Sequence, residues 1–260
     1  MYRAFSSSVP SAVRSHYKKM RENQTVEAVR RLRSRYGRLE TRMGVWEAFD
    51  ALADFVDVSD PDVDLPNAHH LFQSAEGARA DGQPEWMQFT ALVHDLGKCL
   101  YLRGCDQDGT SVKEQWGTVG DTFVVGDGPL PDCLVHSEFN ELNDWRDSGY
   151  ADGCGLSNVL VAYGHDEYMY EVLRQSSGVD LPEEALYAVR FHSLYPWHTG
   201  GAYKRLEDET DKRMLPVVRE FNRYDLYTKR NTPYTEAEIA EMKARYTPLV
   251  EKFAPDGLWF

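Results

Sequence analysis

Six side chains in this chain could assemble a cation site: His70, His94, Asp95, His165, His192 and Asp225. Each lies in a stretch whose apolar neighbours recur at helical spacing, so each is a polar group expected among buried surface. A single histidine on an apolar face is more often a satisfied core residue than a ligand. Asp225 resists that explanation, because it shares its stripe with Leu215, Val218 and Phe221. A buried carboxylate needs a cation or an arginine to offset its desolvation. Imidazoles and carboxylates without a cysteine partner describe a nitrogen and oxygen site for iron, manganese, cobalt or zinc. The Glu-x-x-His spacing of ferritin-like bundles is absent, which disfavours that architecture.

The element that must position the central pair is Thr90-Ala-Leu-Val-His-Asp-Leu-Gly-Lys-Cys-Leu100. Read as one helix from Pro84 to Leu102, it sets Phe89, Leu92, Val93, Leu96 and Leu100 on one stripe. Met87, Ala91, His94, Asp95, Lys98 and Leu102 then fall on the other. Both faces are mainly apolar, so His94, Asp95 and Lys98 should be buried and partnered. Adjacent residues on a helix diverge by about 100°, so His94 can cap one metal while the two oxygens of Asp95 lie between two.

Around this segment the periodicity predicts a mostly helical, all-α bundle forming one domain over residues 1–260. One or two helices are expected between Val13 and Tyr36, where the pattern slips near Asn23–Thr25 and Gly37 stops it. A helix over Thr41–Asp57 should face inward with Val45, Phe49, Leu52 and Val56. Another, Asn67–Ala80, carries His69 and His70. The acidic run Asp60 to Asp64 resembles a calcium loop only superficially, since Leu65 stands where glycine is required and Leu71 where glutamate is. Between Arg103 and Gly155 the periodicity disappears, leaving a long irregular region with at most short β-hairpins such as Thr122–Val125. Helices resume at His165, at a capping-box-like start over Asp180–Glu183, over Asp211–Lys229, and behind the capping box Thr235-Glu-Ala-Glu238.

Bulk properties narrow the partners. A formal charge of −13 over 260 residues argues against a nucleic-acid binder, and the arginines at 30, 31, 33 and 35 read as a solvated helix face. A neutral or polyhydroxyl substrate fits better. The four cysteines have no CxxC spacing, Met1–Ser11 has no apolar core of a signal peptide, and no run suits a membrane span. A cytoplasmic, monomeric enzyme with no membrane partner is the expectation.

The order His, then His-Asp, then a distal Asp on helices resembles the HD-domain superfamily, whose members are mostly metal-dependent phosphohydrolases. A wider set of segments is more specific. Phe72-Gln-Ser-Ala-Glu-Gly77, Leu92-Val-His-Asp-Leu-Gly-Lys98, Val119-Gly-Asp-Thr-Phe123 and Tyr163-Gly-His-Asp-Glu-Tyr168 are joined by Arg190-Phe-His-Ser-Leu-Tyr-Pro-Trp-His-Thr-Gly-Gly201 and Phe221-Asn-Arg-Tyr-Asp-Leu-Tyr-Thr-Lys229. Together with Asp60-Pro-Asp-Val-Asp64 they resemble the myo-inositol oxygenase family over nearly the whole chain.

That resemblance implies an HD-domain-like bundle holding two iron ions, Fe2+ and Fe3+, that opens the ring of myo-inositol with O2 to give D-glucuronate. It implies His70, His94, Asp95 and Asp225 on one iron, with His165 and His192 joining the bridging Asp95 on the other. Lys98 is implied at the substrate oxygen, with Arg3, Asp57, Val58, Ser59, Gly120, Asp121, His192 and Ser193 as further substrate contacts. His69 stands where the family has an aromatic residue, and His70 keeps the spacing to Phe72-Gln73. The alternative is an HD-type phosphohydrolase acting on a nucleotide or other phosphate ester, which would need a basic phosphate pocket. Only Lys98, Arg3 and Arg190 adjoin the ligand motifs.

Overall fold

The computed structural model describes residues 10–59, 66–227 and 232–260. Arg3 and the Asp60–Asp64 run therefore lie outside the described residues. The first helical stretch is two helices, α1 (Ser11–Asn23) and α2 (Val26–Tyr36). The break has a local cause. Thr25 caps α2 by accepting from Ala28 N at 3.3 Å. Gln24 turns inward, where its amide donates to Tyr163 O at 2.7 Å and accepts from Tyr163 N at 3.0 Å.

Next come β1 (Arg42–Met43) and α3 (Val45–Ala51), in place of the expected single helix over 41–57. Arg42 pairs with Trp259 and Met43 with Leu258 of the C-terminal strand, and Thr41 N donates to Phe260 O at 2.9 Å. Long-range pairing thus claims residues that local periodicity assigned to a helix. Beyond Ala51 the chain turns, so Phe55 is buried and Val56, expected inside, is 37 % exposed.

α4 (Asn67–Ala80) and α5 (Glu85–Val93) form an adjacent pair. The predicted helix does not continue beyond α5 as an α-helix: His94–Leu102 tightens into a 3₁₀ helix. Its residues His94 to Leu100 are all buried, as the two apolar faces require. At three residues per turn, positions i and i+3 eclipse one another, so Asp95 and Lys98 stack on one face. A Cβ on Gly97 would lie 2.0 Å from His165 O, so glycine is what lets this 3₁₀ segment touch the start of the next helix.

Residues 103–155 are irregular but packed, with Phe123 and Val125 fully buried. They include β2 (Val124–Val125), antiparallel to β3 (Leu160–Val161). α6 (His165–Gln175) and α7 (Glu183–Phe191) follow. α7 begins behind Pro182 with no side-chain cap, so the box expected from Asp180 does not form. α8 (Tyr195–His198), α9 (Glu209–Tyr227), α10 (Glu236–Phe253) and β4 (Leu258–Trp259) complete the described chain. The Thr235 box ahead of α10 forms as its spacing predicts, with Glu238 N donating to Thr235 Oγ at 3.3 Å and Thr235 N to Glu238 Oε2 at 2.7 Å. Among the described residues no helix is long and apolar enough to cross a membrane.

Candidate metal centre

Four elements converge on Asp95. α4 supplies His70, the 3₁₀ segment supplies His94 and Asp95, α6 opens with His165, and α9 carries Asp225. His192 follows the last residue of α7. His70 Nε2 lies 2.9 Å from Asp225 Oδ1 and 3.8 Å from Asp95 Oδ2. On the other side, His165 Nε2 is 3.0 Å and His192 Nε2 3.8 Å from Asp95 Oδ1. His94 Nε2 stands between, 3.6 Å from Asp95 Oδ1 and 3.5 Å from Asp225 Oδ1. Two compact donor groups result, His70–His94–Asp95 and Asp95–His165–His192, and Asp95 belongs to both.

The tautomers are fixed by the backbone. His94 Nδ1 donates to Ala91 O at 2.9 Å, His165 Nδ1 to Thr118 O at 2.9 Å, and His192 Nδ1 to Val189 O at 2.7 Å. With that proton committed, the neutral form of each ring presents a bare Nε2 lone pair toward the centre. His165 Nε2 and His192 Nε2 face each other at 3.0 Å, an arrangement that needs a proton or a cation between them. His94 Nε2 is buried and, among the described residues, has no hydrogen-bond partner. An orphaned buried acceptor, facing lone pairs and two buried carboxylates are what a pair of cations would satisfy.

Electrostatics agree with this donor set. Burial alone would raise the Asp95 carboxyl, but Lys98, His94 and His165 outweigh it and hold it well below the carboxylate range. Asp225 is likewise depressed, with burial overcome by His70 and His94. His192 is pushed down to about 3, first by burial and then by His165 and His94, so its ring is neutral at ordinary pH.

Lys98 sits at one edge of the cluster. Its ammonium donates to Asp95 Oδ2 at 2.8 Å, lies 2.8 Å from Asp57 Oδ2, and donates to Asn67 Oδ1 at 2.8 Å. Burial works to deprotonate it, but Asp57 and Asp95 outweigh that and raise its pKa. Asp57 is itself held by Ser59, whose N and Oγ donate to Asp57 Oδ1 at 2.8 and 2.6 Å. Val58 N donates to Gln115 Oε1 at 3.1 Å, tying the segment to the irregular region.

Gly120 and Asp121 reach the site by another route. Thr122 N donates to Ser193 O at 2.9 Å, which docks residues 120–122 beside His192 and Ser193. Gly120 has φ +116 and would bring a Cβ to 3.0 Å from His16 Nε2, so only glycine suits this position. Asp121 Oδ1 accepts from Tyr17 OH at 3.3 Å.

The two neighbouring histidines are placed differently. His70 joins the cluster, while the His69 ring stacks on Tyr234, 5.7 Å away at 18°, and accepts from Tyr234 N. Several participants were not singled out as site residues by the sequence. Thr118 acts through its carbonyl. Tyr195 OH donates to Asp225 Oδ2 at 3.2 Å. Glu167 accepts from Arg190 Nε at 2.9 Å and pairs with Arg33 at 2.8 Å. Arg190 is therefore committed to a carboxylate, and Lys98 to two. Among the described residues neither provides the open cationic pocket that the phosphohydrolase alternative needs, and that reading is not favoured.

Comparison with known proteins gives a consistent picture. A sequence model of the family described as Myo-inositol oxygenase matches residues 10–260. The inositol oxygenase of Rattus norvegicus is 44 % identical over 250 residues, spanning 92 % of this chain and 83 % of its own. That of Homo sapiens is 43 % identical over 92 % and 83 %. A protein named probable inositol oxygenase from Oryza sativa subsp. japonica is 41 % identical over 95 % and 80 %.

Proposed function

The chain belongs to the myo-inositol oxygenase family, and from that premise we propose that it cleaves the ring of myo-inositol with O2 to give D-glucuronate, using an Fe2+/Fe3+ pair. His70, His94, Asp95 and Asp225 are the residues that would hold one iron, and His165, His192 and Asp95 the other. Bound there, the ions supply Lewis acidity toward the substrate's hydroxyls and the redox chemistry that O2 requires.

The chain's own residues set up the reaction. The second group has three protein donors against four in the first, which leaves it the more open to vicinal hydroxyls of the ring. Lys98 stays protonated between Asp57 and Asp95, so it stands beside a substrate oxygen as a fixed cation and not as a base. A cation at that position favours the deprotonated form of a neighbouring hydroxyl. Asp57 with Ser59 fixes the ammonium from one side. Gly120, Asp121 and Ser193, docked beside His192, offer backbone groups and short acceptors for the remaining hydroxyls, with Arg3 and Val58 assigned the same role. Proximity of the ring to the oxidant then supplies much of the rate.

The observation that best supports this reading is that Asp95 belongs to two donor groups at once. The test is oxygen uptake by anaerobically iron-loaded protein given myo-inositol, with identification of the product. Uptake with D-glucuronate as product supports the reading. No uptake, with phosphate released from a nucleotide under the same loading, overturns it.

A further inference from the structure

Asn67 opens α4 three residues before His70, and so shares its helical face. Its counterpart across the site is the Asp95–Lys98 stack. His70 faces Asp95 and Asn67 faces Lys98, giving two matched pairs along one seam. Asn67 is 5 % exposed. Because an ammonium can only donate, the amide atom 2.8 Å from Lys98 Nζ must be the carbonyl oxygen. The amide nitrogen is then the other end of the same planar group. That Nδ2 is buried and has no hydrogen-bond partner among the described residues.

A buried amide NH2 without an acceptor is unfavourable on its own and calls for an explanation. Here it lies on the same carboxamide as the oxygen that holds Lys98, the residue assigned to the substrate oxygen. Lys98 has no spare donor, since Asp95, Asp57 and Asn67 account for its three protons. The neighbouring free donor is therefore on Asn67. We propose that Asn67 is a substrate-binding residue, its Nδ2–H donating to a ring hydroxyl beside the one next to Lys98 while Oδ1 orients the ammonium. This rests on the inositol reading of the site. It adds a donor to a set otherwise made of short acceptors, Lys98 and backbone groups, and it makes the site selective for one hydroxyl position. A site built to hydrogen-bond a substrate hydroxyl discriminates strongly against an analogue lacking it.

The test pairs variants with substrates. Asn67→Asp keeps an acceptor for Lys98 and removes the NH2, and Asn67→Leu removes both at similar volume. Equilibrium binding of myo-inositol and of each monodeoxy-inositol to anaerobic iron-loaded protein is measured by calorimetry, alongside iron content. Both variants should retain iron and bind myo-inositol about tenfold more weakly, as expected for one neutral hydrogen bond. One deoxy-inositol should lose the same factor in the unmodified protein and nothing further in the variants. Unchanged affinity in Asn67→Asp, or equal further loss for every deoxy-inositol, overturns the proposal while leaving the oxygenase reading intact. Failure of the unmodified protein to bind myo-inositol overturns both.

Discussion

The Lys98 ammonium lies 2.8 Å from Asp95 Oδ2, three residues back along a 3₁₀ segment in which those two positions eclipse. The lysine proposed to face substrate and a carboxylate shared by two donor groups are thereby set on one face by the local winding of the backbone. The arrangement gives each residue a separable role, and each role has a measurable consequence.

Lys98→Ala should retain iron and lose turnover. The two carboxylates flanking the ammonium are left buried without their cation, and removing one partner of such a pair costs about 3–5 kcal/mol. Iron can still neutralise Asp95, so the stability loss should be larger in metal-free protein. Turnover should fall at least about a hundredfold. Iron analysis, thermal unfolding with and without metal, and oxygen uptake measure these separately.

Asp95→Ala removes an oxygen from both donor groups, whereas Asp225→Ala removes one only from the group containing His70 and His94. The first variant should purify with neither iron, and the second should keep the iron held by His165 and His192. Metal analysis per chain decides between them, and retention of one full iron by Asp95→Ala would contradict the shared role.

Gly97→Ala would drive a Cβ to 2.0 Å from His165 O and 2.9 Å from Met169 Cβ. Because the oxygen is backbone, α6 must shift, and overpacking of this kind typically costs about 1–3 kcal/mol. A lower Tm should be accompanied by weaker metal binding at the His165 side, measured by titration of metal-free protein. A lower Tm with unaltered metal affinity would confine Gly97 to packing.

The pH dependence of stability has a site remote from the candidate metal centre. Glu76 on α4 accepts from Arg79 Nε at 3.0 Å, Tyr246 OH at 2.8 Å and Arg245 Nη1 at 2.8 Å. Burial alone would raise its pKa, but these donors outweigh it and lower the carboxyl from 4.5 to about 2. A carboxyl depressed by folding contributes stability above its unfolded pKa and loses it as pH falls toward the folded one. Stability should therefore drop between 4.5 and about 2 partly through this group. Denaturant unfolding of metal-free protein at several pH values should show a shallower acid limb in Glu76→Gln.

Much of this was legible in the residues. The polar positions on apolar faces identified the six cluster members, because burial of a histidine or aspartate demands a partner wherever it occurs. The capping box at Thr235 and the stop at Gly37 were local signals that the fold left undisturbed. The winding of 94–102 was not legible, since the same apolar pattern suits an α-helix, and the contact of Gly97 with His165 is known only once α6 is placed. The strand at Arg42 depends on the far C-terminus. Asn67, preceded by Leu65-Pro66, reads as an ordinary helix-start residue, and its partnership with Lys98 spans 31 positions. The carbonyls of Ala91, Thr118 and Val189 have no side-chain signature at all.

Whether one carboxylate, Asp95, holds two metal ions is tested most directly by diffraction from iron-loaded crystals at the iron absorption edge. Two anomalous peaks should flank Asp95, one among His70, His94 and Asp225 and the other beside His165 and His192. A single peak, or two peaks of which either lies away from Asp95, would contradict it.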